Sequence, residues 1–323
     1  MELVREYQLN KMSNRKSLYI MPDIHADILA LRRILRRIPK NANVVFIGDI
    51  VNKGASSLGA ISLLRKHYQS KKWKLLWGNH DLLFVRAMLG SREAQIKLFS
   101  QRDGGLIFGE LGKPHLVKRV ESIFRSFYDL LSRPRLLATA MEENKVLLQE
   151  VDATLQAHKR LRESVEWMAQ HFQLFYLAPN NVLYLHAGIP VTDKGSPKLG
   201  LKQLGVMNRD VSSKLALGRL DSKVFSRLDR SEHSPLRVIK WIDKICNPSD
   251  FCERFGVCAI VVGHAEVVLD EVVSGKFPIV RHDFGAAKCK GDRPSLLEVT
   301  GSLCFISHLY LNGRWQSIFR GKI

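Results

Sequence analysis

The 323-residue chain is poor in cysteine, acidic side chains and long apolar runs, and each shortage excludes something. Its five cysteines are Cys246, Cys252, Cys258, Cys289 and Cys304, all in the last third. No Cys-x-x-Cys pair occurs, so neither a disulfide framework nor a zinc ribbon is supported, and a reducing, cytoplasmic setting is the expectation. Cys246, Cys252 and Cys258 read as buried free thiols. No apolar run approaches the ~18 residues of a membrane span. The opening MELVREYQLNKMSNRKS has no apolar core segment, so no secretory leader is expected. There is no internal repeat and no low-complexity stretch. Asp and Glu number 31 against 50 Lys and Arg, a net charge of +19. Such a surface suits polyanions: nucleotides, other phosphate substrates, or RNA. The densest basic cluster, Arg32, Arg33, Arg36 and Arg37, alternates with Leu31, Ile34, Leu35 and Ile38, and so reads as the solvated face of an amphipathic helix.

What is present is an ordinary globular composition, 46% hydrophobic and 25% charged. Leu18–Met21, Val44–Ile47 and Leu75–Trp77 read as strands. Asp27–Arg37, closed by Pro39, and Ser56–His67 read as the helices between them. Strand–helix–strand–helix–strand implies a parallel sheet. From Leu82 to about Tyr176 the pattern turns helical, with stretches at Glu121–Leu131 and Met141–Phe172. Trp167, Phe172 and Tyr176 read as core aromatics of the insertion, with stacking on a nucleobase as the alternative, and His67, His158 and His171 read as surface groups. Strands resume at Val182–Leu185 and Ala259–Val262, with a helix at Leu236–Ile245 between them. Short strands follow at Pro278–Arg281, Leu296–Val299, Cys304–Leu311 and Trp315–Phe319. The division expected is a tail over 1–17 and one domain over 18–323, with a helical insertion at about 91–177 acting as a cap near the cleft.

Five strand ends carry ligand-type residues: Asp23-Ile24-His25, Gly48-Asp49, Gly78-Asn79-His80-Asp81, His186 and Gly263-His264. Asp, Asn and His together suit divalent first-row ions. The carboxyl edge of an α/β sheet is where ligands bind. A strand-end carboxylate can bridge two ions that clamp a phosphoryl centre.

These segments, with Gly48-Asp49-Ile50-Val51-Asn52-Lys53-Gly54 and His186-Ala187-Gly188-Ile189-Pro190, resemble the ordered motifs of calcineurin-like metallophosphoesterases over about Leu18–Gly285. The resemblance implies a four-layer α/β/β/α sandwich above whose sheet edges two divalent ions sit, Mn2+ foremost, with Fe, Co or Zn suited to the same donors. It implies Asp23, His25 and Asp49 around the first ion. Asp49 as bridge, with Asn79, His186 and His264, would hold the second. A hydroxide between the ions would be the nucleophile, His80 the general acid and Lys53 a contact for phosphate oxygens. Asn52-Lys53 stands where protein Ser/Thr phosphatases carry Asp-Arg, and the missing Asp normally orients the catalytic His; Asp81 stands where they carry Glu. Together with GNHD, this is more similar to the diadenosine tetraphosphatase and ApaH-like phosphatase branch. The implied substrates are dinucleoside polyphosphates or capped nucleotides. His282-Asp283-Phe284-Gly285 is similar to a late element of that branch. A second phosphate-binding arginine is expected among Arg209, Arg227 and Arg230, with Arg230 chosen. Pro22 and Ala26 depart from the glycines usual around the first motif. Two alternatives stand beside this reading: a phosphoprotein phosphomonoesterase, and a non-catalytic nucleic-acid-binding relative of the fold.

Overall fold

The computed structural model describes residues 17–101, 103–192, 194, 196–198, 200–216, 248–264, 271–273, 279–281, 295–300, 304–311 and 314–322. Two sheets are stacked. The larger has seven strands, ordered β12-β11-β10-β1-β2-β3-β4. Its parallel part is β1 (Leu18–Met21), β2 (Asn43–Phe46), β3 (Trp73–Leu76) and β4 (Phe172–Gln173). Its antiparallel part is β10 (Ser295–Val299), β11 (Cys304–Leu311) and β12 (Arg314–Lys322). The smaller sheet has five strands. These are β5 (Phe175–Leu177), β6 (Val182–Leu185), β7 (Ala259–Val262), β9 (Ile279–Arg281) and β8 (Glu271–Val273), with β6, β7 and β9 parallel.

Side chains alternate across a strand, so continuous apolar runs mean two covered faces. Ile20, Val45, Ile47 and Leu76 point between the sheets, where they meet Val182, Tyr184, Val261 and Val280. Met21, Val44, Phe46 and Leu75 point outward into the helical layer. On the far side Leu183, Leu185, Ile260 and Val262 pack on Leu204, Phe251 and Phe255 of α10 (Leu201–Ala216) and α11 (Pro248–Phe255). Helix, sheet, sheet, helix is the four-layer order the motifs implied.

The crossover helices form where the sequence places them. α1 (Ile28–Arg37) begins at Asp27, whose Oδ1 accepts from Ala30 N at 2.9 Å, and it buries Ala30, Leu31, Ile34 and Leu35. Arg32, Arg36 and Arg37 are exposed, whereas Arg33 stacks 4.8 Å above the Tyr310 ring. α2 (Ser57–His67) begins at Ser56, whose hydroxyl caps Gly59 N.

The stretch Met141–Phe172 differs from the single helical reading. It contains the end of α7 (Pro134–Glu143), then α8 (Lys145–Ala157) and α9 (Lys159–His171). Asn144 breaks the first junction by donating its side-chain amide back to Ala140 O at 2.9 Å. His158, extended at φ −83° and ψ 104°, breaks the second. Neither break is a proline or a glycine, so neither stood out in the sequence. Strands β4, β5 and β8 also escaped the sequence reading, being only two or three residues long. Trp167 and Phe172 are buried, Phe172 against Phe46 and Trp77, so the helices of this stretch share the core of the larger sheet. His67 is exposed; His158 and His171 are half-buried. Cys252 is buried and free, and Cys258 is partly exposed and free. Leu236–Ile245, Arg227, Arg230, Cys246, Cys289 and His282–Gly285 lie outside the described residues.

Candidate metal centre

β1, β2 and β3 each hand the chain to a tight loop at their carboxyl ends, and the loops are tied to one another. Ile24 N and His25 N both donate to Asp49 O, at 3.0 and 2.7 Å, and Ala26 N donates to Ile50 O at 2.7 Å. The backbone there is strained. His25, Ala26, Asp49, Asn52, Lys53 and His264 all have positive φ, six of the eight such non-glycine residues among those described. Strain of this kind persists only where the surroundings over-determine it, and it concentrates at functional loops. Gly48 has φ +108°, where a side chain is disfavoured in any case. A Cβ on Gly78 would land on the Asp49 backbone nitrogen and carboxylate. These two glycines let the ends of β2 and β3 approach closely enough to share ligands.

Asp81 is the clamp. It lies three residues into α3 (Asn79–Met88) and is wholly buried. Its Oδ2 accepts from Asp49 N at 2.8 Å and Gly78 N at 3.0 Å. Its Oδ1 accepts from Ile50 N at 2.9 Å and Val51 N at 3.4 Å. Burial, and then the neighbouring Asp49 carboxylate, pushes Asp81 up to about 8 against the pull of these amides. Positive charge bound beside Asp49 would cancel the repulsive share.

All four expected second-ion ligands converge. His186 Nδ1 donates to Ile47 O at 2.9 Å, so its Nε2 carries the lone pair. That Nε2 lies 3.1 Å from Asn79 Oδ1, 3.1 Å from His264 Nδ1 and 3.6 Å from Asp49 Oδ2. A carbonyl oxygen and an imidazole lone pair at 3.1 Å repel each other unless a cation lies between them. Burial drives His186 down to about 4, and burial also holds His25 and His80 well below the usual imidazole value, with Lys53 adding to both. All three are therefore neutral Lewis bases at pH 7, the form a metal binds. The backbone bond at Nδ1 is the orienting contact a ligating histidine needs.

Two sets of ligand atoms come within 4.8 Å of one another: His25, Asp49 and His80, and Asp49, His186 and His264. Asp49 belongs to both. The donor set fits two divalent ions sharing one carboxylate. Asp23 is buried with Oδ1 3.7 Å from His186 Nδ1, and it is not in either set. The Lys53 ammonium sits 3.2 Å from His25 Nε2, a stand-in cation at the first set, on a side chain exposed enough to swing away. His80 packs edge-on against His25 with ring centres 5.0 Å apart. Arg209 is exposed on α10.

Two contributors were not read from the sequence. Gln101, in the loop after α4 (Arg92–Phe99), accepts from Asn52 Nδ2 at 2.7 Å. Glu110, at the end of α5 (Leu106–Glu110), accepts from Leu58 N at 3.1 Å and Gly59 N at 3.2 Å, and also from the Ser56 hydroxyl. Both belong to the helical stretch. Glu110 also borders a small cavity with Asn52, Gly54, Ser57 and Phe84, lined on the helical side by Leu98, Leu106 and Ile107. Nothing in the spacing of Gln101 or Glu110 marks them, because each meets its partner only in the folded chain.

A family model described as calcineurin-like phosphoesterase matches residues 17–265. The chain belongs to this family. A symmetrical bis(5'-nucleosyl)-tetraphosphatase of Ralstonia nicotianae is 30% identical over 71 residues, 22% of this chain and 25% of that protein. The chain thus spans about a quarter of the length of that curated relative. Among solved structures, a protein serine/threonine phosphatase from Saccharomyces cerevisiae superposes with a TM-score of 0.45 at 11% identity, covering 98% of this chain and 91% of that one. A structure described as a putative diadenosine tetraphosphatase gives 0.40 at 16% identity, covering 92% and 95%. Among the described residues, no helix of this calcineurin-like phosphoesterase is long and apolar enough to cross a membrane.

Proposed function

We propose that the chain is a hydrolase of phosphoanhydride bonds in dinucleoside polyphosphates or capped nucleotides, working with two divalent ions. The observation that carries this is Asp49 within ligand reach of His25 on one side and of His186 and His264 on the other, with a lysine ammonium beside them. His25, Asp49 and Asp23 would hold one ion; Asp49, Asn79, His186 and His264 would hold the other. Bound there, such ions supply a water of lowered pKa and positive charge for the phosphoryl oxygens. The chain's own residues do the rest. Asp81 fixes the loop that carries Asp49. Lys53, freed from His25, attracts a phosphate oxygen as a point charge. His80 delivers a proton to the departing oxygen. The substrate class is supported by Asn52-Lys53 within GDIVNKG and by the short match to a tetraphosphatase.

The test is hydrolysis of diadenosine tetraphosphate with Mn2+, beside a cap analogue, a phosphopeptide and an aryl phosphate, with Asp49→Asn and His80→Ala as controls. ADP from the tetraphosphate, lost in both controls, is the expected result. ATP plus AMP would keep the centre and change the cleavage geometry. Turnover of the phosphopeptide alone would replace the substrate class. No turnover of any of them by protein holding two ions would overturn the catalytic reading.

A further inference from the structure

Asn52 is buried, and its backbone is fixed at φ +68° with its N–H on the Ser57 hydroxyl at 3.1 Å. Its side-chain nitrogen faces two groups at once: His80 Nδ1 at 2.9 Å and Gln101 Oε1 at 2.7 Å. An amide nitrogen has two N–H bonds to give and nothing to accept with. Both neighbours must therefore accept, and His80 then carries its proton on Nε2. Gln101 decides this. Its carbonyl holds the Asn52 nitrogen in place, because turning Asn52 alone would set its oxygen against the Gln101 oxygen, and only a concerted turn of both amides keeps the contact. Without Gln101, either end of the Asn52 amide can meet His80, and the ring loses its single tautomer and orientation.

We infer that Gln101 is a positioning residue for His80, acting through the Asn52 amide. The helical stretch thereby reaches the reacting site through one side chain, 49 residues along the chain from Asn52. Gln101 touches neither donor set; its effect passes through Asn52. The catalytic consequence rests on the proposed role of His80, whereas the tautomer does not.

The experiment has two arms on the Zn2+-loaded full chain at one fixed pH. In the first, nitrogen-15 NMR of the imidazoles, with His80 assigned by its loss in His80→Gln, reports which ring nitrogen carries the proton. Wild type and Gln101→Glu, which keeps the accepting oxygen, should show one Nε2–H form; Gln101→Leu should show a mixture. The same form in Gln101→Leu as in wild type would overturn the inference whatever the activity. In the second arm, Gln101→Leu should lower kcat about tenfold for a substrate with a poor leaving group. That is less than the ~10²–10⁴ that a proton donor contributes. KM and the content of two ions should stay unchanged, a good aryl leaving group should be nearly unaffected, and Gln101→Glu should restore kcat to within about threefold. Equal losses for both leaving groups, or a rise in KM in place of the fall in kcat, would overturn the positioning role. A tautomer shift in a chain that turns over nothing would leave the Gln101–Asn52 coupling standing and remove the catalytic reading instead.

Discussion

The two sheets contribute to one site by different means. The larger supplies three loops, the first two in strained conformations, crossed by backbone hydrogen bonds and closed by the buried Asp81 carboxylate on four N–H groups. The smaller supplies two histidines; His186 donates from Nδ1 to Ile47 O of the other sheet's loop, and its carbonyl accepts from Gly263 N at 2.7 Å. Its strands otherwise depend on the apolar layer between the sheets. The larger sheet therefore builds a rigid half that needs no ion to keep its shape, and the smaller builds a half whose donor atoms are brought together by packing. Damage on the first side should cost stability as well as metal; damage on the second should cost metal more than stability.

The largest effect should come from Asp81→Ala. It strands four buried N–H donors, and urea unfolding should show a loss of about 3–5 kcal/mol. Gly78→Ala presses a methyl group onto Asp49; it should cost about 2–3 kcal/mol and abolish binding at both sets, read by metal analysis of the purified protein. His186→Ala should cost only about 1–2 kcal/mol in metal-free protein. It should cut the ion content from two to one, and a loss of stability as large as that of Asp81→Ala would erase the contrast between the halves. Ala26→Gly, at φ +59°, should move stability by no more than about 0.5 kcal/mol, because relief at positive φ offsets the glycine's greater entropy and the lost methyl. The smallest effect concerns Cys252, under the smaller sheet. Burial, helped by Cys258, raises its thiol up to about 12, so folding favours the protonated form. That contribution is complete below the ordinary value of 9.0 and disappears as pH rises from there to about 12. At pH 8 a thiol reagent should modify Cys252 only on unfolding, with no change in ion content before it.

The rigid half was the more readable one. Its helix starts, Asp27 and Ser56, and its strand ends are local features, and both crossovers formed around them. His186 and His264 were legible for the same reason: each follows a short, wholly buried strand. Asp81 stood in the sequence within GNHD, but that its carboxylate spans β2 and β3 depends on the close approach of Gly78 to Asp49. Gln101 and Glu110 gave no signal at all. Their partners lie about 50 residues away, and a glutamine after a helix looks the same whether it faces water or Asn52. The breaks at Asn144 and His158 were hidden because neither is a proline or a glycine, the residues that usually mark a helix end.

In the proposed centre one carboxylate, Asp49, joins two ion sites drawn from the two sheets. Electron paramagnetic resonance of the protein titrated with Mn2+ tests it directly, because ions bridged by a shared ligand couple magnetically. The expected result is two Mn2+ per chain with an exchange-coupled spectrum, which collapses to the pattern of one isolated ion in His186→Ala. A single ion in the wild type, or two that stay magnetically independent, would contradict it.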